Sequence, residues 1–68
     1  MASKVSLNQQ IEEAEREMGL RRKVYPALVA RGKMRASEAD FFVERQQAII
    51  DTLSWLQDNE DVIKQRLA

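Results

Sequence analysis

The stretch RRKVYPALVARGKMRASEAD, residues 21–40, decides the fold. It holds the only proline, one of two glycines and six of the eleven basic residues of the chain. No acid occurs between Gly19 and Ser37. Gly32 supplies the left-handed residue that ends helices. Ser37 then opens SEAD, a capping box with Asp40 in place of the usual Glu or Gln. Gly32, Ser37 and Asp40 therefore mark a corner between two helices.

Before the corner, Leu7, Ile11, Ala14 and Met18 recur at steps of four, three and four, one stripe of a helix. Arg21 takes the next position on that seam, and Leu20, Val24 and Ala27 form a second stripe. Ser6 or Ser3 is suited to cap the start. The acids of EEAERE precede the basic cluster, the order favoured by the helix dipole. Pro26 interrupts this helix. It has no N–H, its ring crowds the Arg22 carbonyl, and it biases Tyr25 away from helical angles. The first helix, about 6–31, is expected to kink or break at Tyr25–Pro26.

After the corner (32–36), a helix over about 37–66 shows Phe42, Gln46, Ile49, Leu53, Leu56, Glu60, Ile63 and Leu67 at alternating steps of four and three. Phe41, Ala48, Trp55 and Val62 recur every seven residues on its flank. DNED, residues 58–61, is a candidate for a break, but the heptad running through it favours one long helix. Gln46 and Glu60 fall on the seam. They either set the register of the pair or lie where the helices splay.

The expected fold is therefore all-α, a single antiparallel helical hairpin over 1–68. Its apolar positions exceed what one neighbour needs, since an antiparallel partner covers only a narrow seam. Burying an aromatic side chain is worth roughly 2–3 kcal/mol, a large share of a small domain's stability. The economical solution is a homodimer, two hairpins in a four-helix bundle. Phe41, Phe42, Ile49, Leu53, Trp55 and Leu56 are the self-association candidates. The competing arrangement folds part of the same chain over the surplus.

Composition narrows the function. Without cysteine or histidine there is no disulfide, no Cys/His metal site and none of the usual acid–base or thiol machinery. No enzyme activity and no cofactor are expected. Net charge is zero, so no global field holds the chain on nucleic acid or membrane. The N-terminal MASKVSLNQQ lacks the apolar run of a secretory leader, and a cytoplasmic location is expected. The functional candidates are Arg21, Arg22, Arg31, Lys33 and Arg35, with Tyr25 among them. They suit an acidic protein surface or phosphates. Alternatively they are ordinary helix-end charges that pair with Glu38, Asp40 or Glu44. A helix-turn-helix reading is weaker, because the second helix opens with the acids of SEADFFVER.

RRKVYPALVARGKMRASEAD, followed by ERQQAIIDTLSWL, resembles small uncharacterised helical proteins of phages and prophages. Their recurrent pattern is Arg-x-x-Val-Tyr-Pro, then Val-x-x-Gly-Lys-Met or Leu, a cap and an amphipathic helix. The match covers roughly residues 11–56. It implies a phage-derived product of the host cytoplasm and carries over no catalytic residue. VARGKMRASEADF is also similar to the core of SHOCT-type short helical domains, which implies association. Together these readings lead to the expectation of a non-enzymatic interaction protein that pairs with itself and binds an unidentified protein. Nucleic-acid binding through the basic corner, or a purely structural assembly role, is the alternative.

Overall fold

The computed structural model describes residues 4–67, residue 67 by its backbone alone. Ser3 and the Leu67 side chain lie outside the described residues. The described chain is all-helical: α1 is Leu7–Ala30, α2 is Ala36–Asp58 and α3 is Glu60–Leu67. α1 and α2 pack as an antiparallel hairpin, and the rod measures 52 × 20 × 18 Å.

Ser6 caps α1. Its Oγ accepts from the Gln9 N–H at 3.1 Å, and the Gln9 Oε1 accepts from the Ser6 N–H at 3.0 Å. Two N–H groups that a helix start leaves orphaned are thereby satisfied. Further along, Arg16 pairs with Glu13 and Arg21 with Glu17. The hydrogen bond from Arg16 holds the Glu13 carboxyl below its ordinary value. That contribution is lost as pH falls through the carboxylate range, and it is small because the pair is exposed.

Of the two expectations at Tyr25–Pro26, the break does not occur: α1 runs through Pro26 as one helix. Proline removes a single bond, the one its N–H would donate to the Arg22 carbonyl. Pro26 and Arg22 are both exposed, so water can take up the freed acceptor, and the packing of the neighbouring turns carries the helix across.

Gly32 ends α1 with φ at +70°. The Gly32 N–H donates to the Val29 carbonyl at 3.0 Å and the Lys33 N–H to the Leu28 carbonyl at 2.9 Å, the paired bonds of a Schellman turn. The cap of α2 differs from expectation. Arg35, not Ser37, is the N-cap. Its N–H donates to the Glu38 carboxylate at 3.3 Å. A guanidinium has no acceptor to offer in return, so half of a capping box is made. Ser37 and Asp40 sit inside the first two turns, because the Schellman turn delivers the chain to helical geometry two residues earlier than expected.

The single long second helix is also corrected. It stops at Asp58, Asn59 forms a turn, and α3 follows. The Asn59 side-chain amide donates to the Trp55 carbonyl at 2.8 Å, beside the Asn59 N–H at 3.1 Å. A short amide that competes for backbone acceptors is what makes Asn a poor interior residue. Glu60, expected on the seam, instead opens α3 and pairs with Lys64 at 3.1 Å.

The core lies between α1 and α2. Ile11, Ala14 and Met18 are its buried apolar residues, and no described side chain is fully enclosed. Leu7, Tyr25, Leu28, Val29, Phe42, Val43, Ile50, Leu53 and Leu56 are half-buried around them. Among the described residues no helix is long and apolar enough to cross a membrane.

Candidate functional site

Two polar side chains clasp the hairpin. Gln46 is the buried polar residue of the seam, 5% exposed. Its Nε2 donates to the Ala14 carbonyl at 2.8 Å. Arg21 donates from Nη1 to the Phe42 carbonyl at 2.9 Å, while its Nε holds Glu17 at 3.1 Å. Both carbonyls lie within helices, so each is an acceptor with one lone pair left over from the helical ladder. Of the alternatives for Gln46, the structure supports a register-setting role. Sliding α2 by one residue would bury its amide without a partner, at a cost of about 1–3 kcal/mol. Gln46→Leu should accordingly be neutral or stabilising by up to ~1 kcal/mol, since the Ala14 carbonyl keeps its bond in the helical ladder and the apolar side chain needs no partner. It should also relax the pairing. A two-dimensional amide NMR spectrum with more peaks than residues is the expected sign, and a single sharp set at full stability would contradict the register role.

Arg21 is thus taken up by the fold. The other candidate cations are not. Among the described residues the ion pairs are Glu13–Arg16, Glu17–Arg21 and Glu60–Lys64. None joins Arg22, Lys23, Arg31, Lys33 or Arg35 to Glu38, Asp40 or Glu44, the pairings that the helix-end reading allowed. These five side chains stand exposed around the corner.

Beside them, between α1 and α2, lies a groove of about 450 Å³. Tyr25, Pro26, Val29 and Ala30 line it from α1, and Ala36, Ala39 and Val43 from α2. Its polar walls are Arg21, Arg22 and Asp40. The space exists because three alanines stand where larger side chains would fill it. Tyr25 meets Phe42 edge-on, with ring centroids 6.3 Å apart. Sequence reasoning named Tyr25 but missed Pro26, Val29 and Val43 as wall residues. The run of alanines on both sides of Gly32 was the available signal.

The self-association candidates divide. Phe42, Leu53 and Leu56 are half-buried in the hairpin itself. Phe41, Ile49 and Trp55 are 48%, 50% and 59% exposed. Trp55 lies nine residues from Gln46, about 180° round the helix at ~100° per residue. The stripe Phe41, Ala48, Trp55, Val62 therefore turns away from α1 rather than flanking the seam, and all four are exposed. The Arg45 guanidinium lies 4.1 Å above the Phe41 ring, a cation–π contact that partly screens it. Leu20 and Val24 add exposed apolar surface on α1, each 45% exposed. The sequence displayed them as a second stripe, without showing that the described residues leave it half-exposed.

The groove and the Ile49 surface lie on opposite sides of the hairpin. Ile49 borders a shallow depression with Val5, Gln10 and Glu17. Ile50, on the other side of the Gln46 seam, borders one with Gly19 and Arg22, and Arg22 also lines the groove. Among the described residues no group of three or more acidic side chains is placed to hold a metal ion. Comparison with protein-family models, curated proteins and solved structures finds no match to this chain.

Proposed function

We propose that this chain is a non-enzymatic interaction module of the cytoplasm, of the small phage or prophage type. It pairs with a second copy as a dimeric four-helix bundle and engages another protein at its basic corner. One observation carries the reading. Among the described residues, seven large apolar side chains are 45–59% exposed and three apolar side chains are buried. Apolar exposure that gathers into a patch marks an interaction surface, and oligomerisation is one of the few staples open to a small chain without cysteine or histidine. Size permits it. A face 52 Å long and 20 Å wide presents on the order of 1,000 Å², against roughly 800 Å² per partner in a standard interface. We place the pairing on the side of Ile49, Phe41 and Val24, which leaves the groove open. A bend of α1 at Pro26 belongs to this reading, since it would widen the groove mouth.

Light scattering over a concentration series tests the pairing. The double variant Phe41→Glu, Ile49→Lys should raise the dimer Kd at least ~100-fold, because it removes two apolar contacts and places charge in an apolar interface. Helicity at high concentration separates lost pairing from lost folding. A wild-type chain that stays monomeric at high micromolar concentration would overturn the dimer. Nucleic-acid binding is the second reading, favoured by the five unpaired cations and opposed by zero net charge. A gel-shift series in rising salt tests it. Strong salt-dependent DNA binding, abolished in Arg22→Glu, Arg31→Glu, would make the corner a phosphate site instead.

A further inference from the structure

We infer that the corner groove takes an acidic peptide segment carrying one apolar anchor side chain, which names the chemistry of the partner on which the reading above rests. Three observations converge. The first is shape. The groove walls are mainly apolar, built by Tyr25, Pro26 and Val29 opposite Ala36, Ala39 and Val43. A concave apolar site with a few polar groups at its edge suits a side-chain anchor. The second is charge. Val29–Ala30 and Ala36 flank the turn, so the turn that closes the groove carries Arg31, Lys33 and Arg35, and Arg22 forms part of the wall. None of their side chains forms an ion pair within the described chain. Arginine beside an apolar pocket is the pattern of interface anchors that recognise carboxylates. The third is rigidity. Arg21 is held at both ends by Glu17 and the Phe42 carbonyl, and Tyr25 packs edge-on against Phe42. The walls are preformed, so little ordering is needed on binding.

Asp40 is the one acid on the wall and gives the ligand a direction. The carboxylates must lie toward Arg22 and the turn, with the anchor between Pro26 and Ala39. Nucleic acid fits less well. Stacked bases need a platform and a basic track, whereas these cations cluster at one end of the hairpin and the first turns of α2 carry Glu38 and Asp40.

Selection of a random 16-residue display library on the immobilised full chain tests this. The expected result is enrichment of peptides with several Asp or Glu residues next to a single Leu, Phe or Trp. Synthetic versions should lose at least tenfold in affinity when the anchor is changed to Ser. They should lose as much on Arg22→Glu, Arg31→Glu, a surface variant whose circular dichroism should be unchanged. Ala39→Phe, which fills the groove, should abolish binding while leaving the Arg-dependent attraction of anchorless acidic peptides. The proposal fails if nothing is enriched, if neutral or basic peptides win, or if a 16-nucleotide single strand displaces the selected peptide at equal concentration. Light scattering on the same samples keeps the two ideas apart. A monomer that selects acidic peptides would refute the pairing and keep this site. A dimer that selects none would refute the site and keep the pairing.

Discussion

Met18→Ala should remove about 2–3 kcal/mol of stability. Met18 is the most enclosed apolar residue, 5% exposed. Truncating a buried Met costs about 2–5 kcal/mol, from lost transfer energy and the cavity left behind. The lower end applies because Met18 borders an open depression with Gly19, Arg22, Gln47 and Ile50, where side chains can settle inward. Even so the loss is large. A 68-residue chain has roughly 3–10 kcal/mol of stability in all. Urea unfolding at fixed protein concentration reads it directly. Leu20→Ala, two residues on and half-exposed, is the control and should stay within ~0.5 kcal/mol when the chain is monomeric. A loss below that of the control would mean the core is not where Ile11, Ala14 and Met18 place it.

Pro26→Ala should act in the opposite direction, gaining about 2 kcal/mol. In a helix interior proline is about 3 kcal/mol less favourable than alanine. Part of that is returned because proline also restricts the unfolded chain, by about 0.4–1 kcal/mol. α1 already runs through Pro26, so alanine needs no new geometry. It restores one donor, to the Arg22 carbonyl. At roughly 4–8 °C per kcal/mol for a domain of this size, Tm should rise by about 10 °C. The same substitution strips a ring from the groove wall and should weaken capture of an acidic peptide. A stabler chain that binds less well would explain why a proline stands inside a helix. An unchanged or lower Tm would show that α1 has adapted to the ring, with neighbouring turns depending on it.

These two residues also show how far the chain could be read in advance. Ile11, Ala14 and Met18 were legible, because spacing alone puts them on one stripe and an amphipathic helix buries that stripe. Gly32 was legible, because a helix-ending left-handed position favours glycine. Pro26 was misread as a possible break. Local preference counts one missing bond, whereas the turns on both sides are held by packing against α2. The cap at Ser37 was displaced for a related reason. Ser37 is the better cap residue, since Arg35 has no acceptor to offer, but the turn at Gly32 brings the chain to helical geometry two residues sooner. Asn59 was read as part of a longer helix because the heptad continues, and periodicity says nothing about a side chain bonding its own backbone.

Sequence by itself determined that the chain is helical, where its hairpin turns, and that its apolar surface exceeds what a hairpin covers. Those properties depend on local geometry and composition, which each segment carries with it. Only the tertiary structure decided which polar residues became structural and which stayed free. Gln46 and Arg21 were spent on carbonyls of the opposite helix. The side chains of Arg22, Arg31, Lys33 and Arg35 were left without an ion pair among the described residues, beside a groove. That outcome depends on the distance and angle between two helices, quantities that no single stretch of the chain contains.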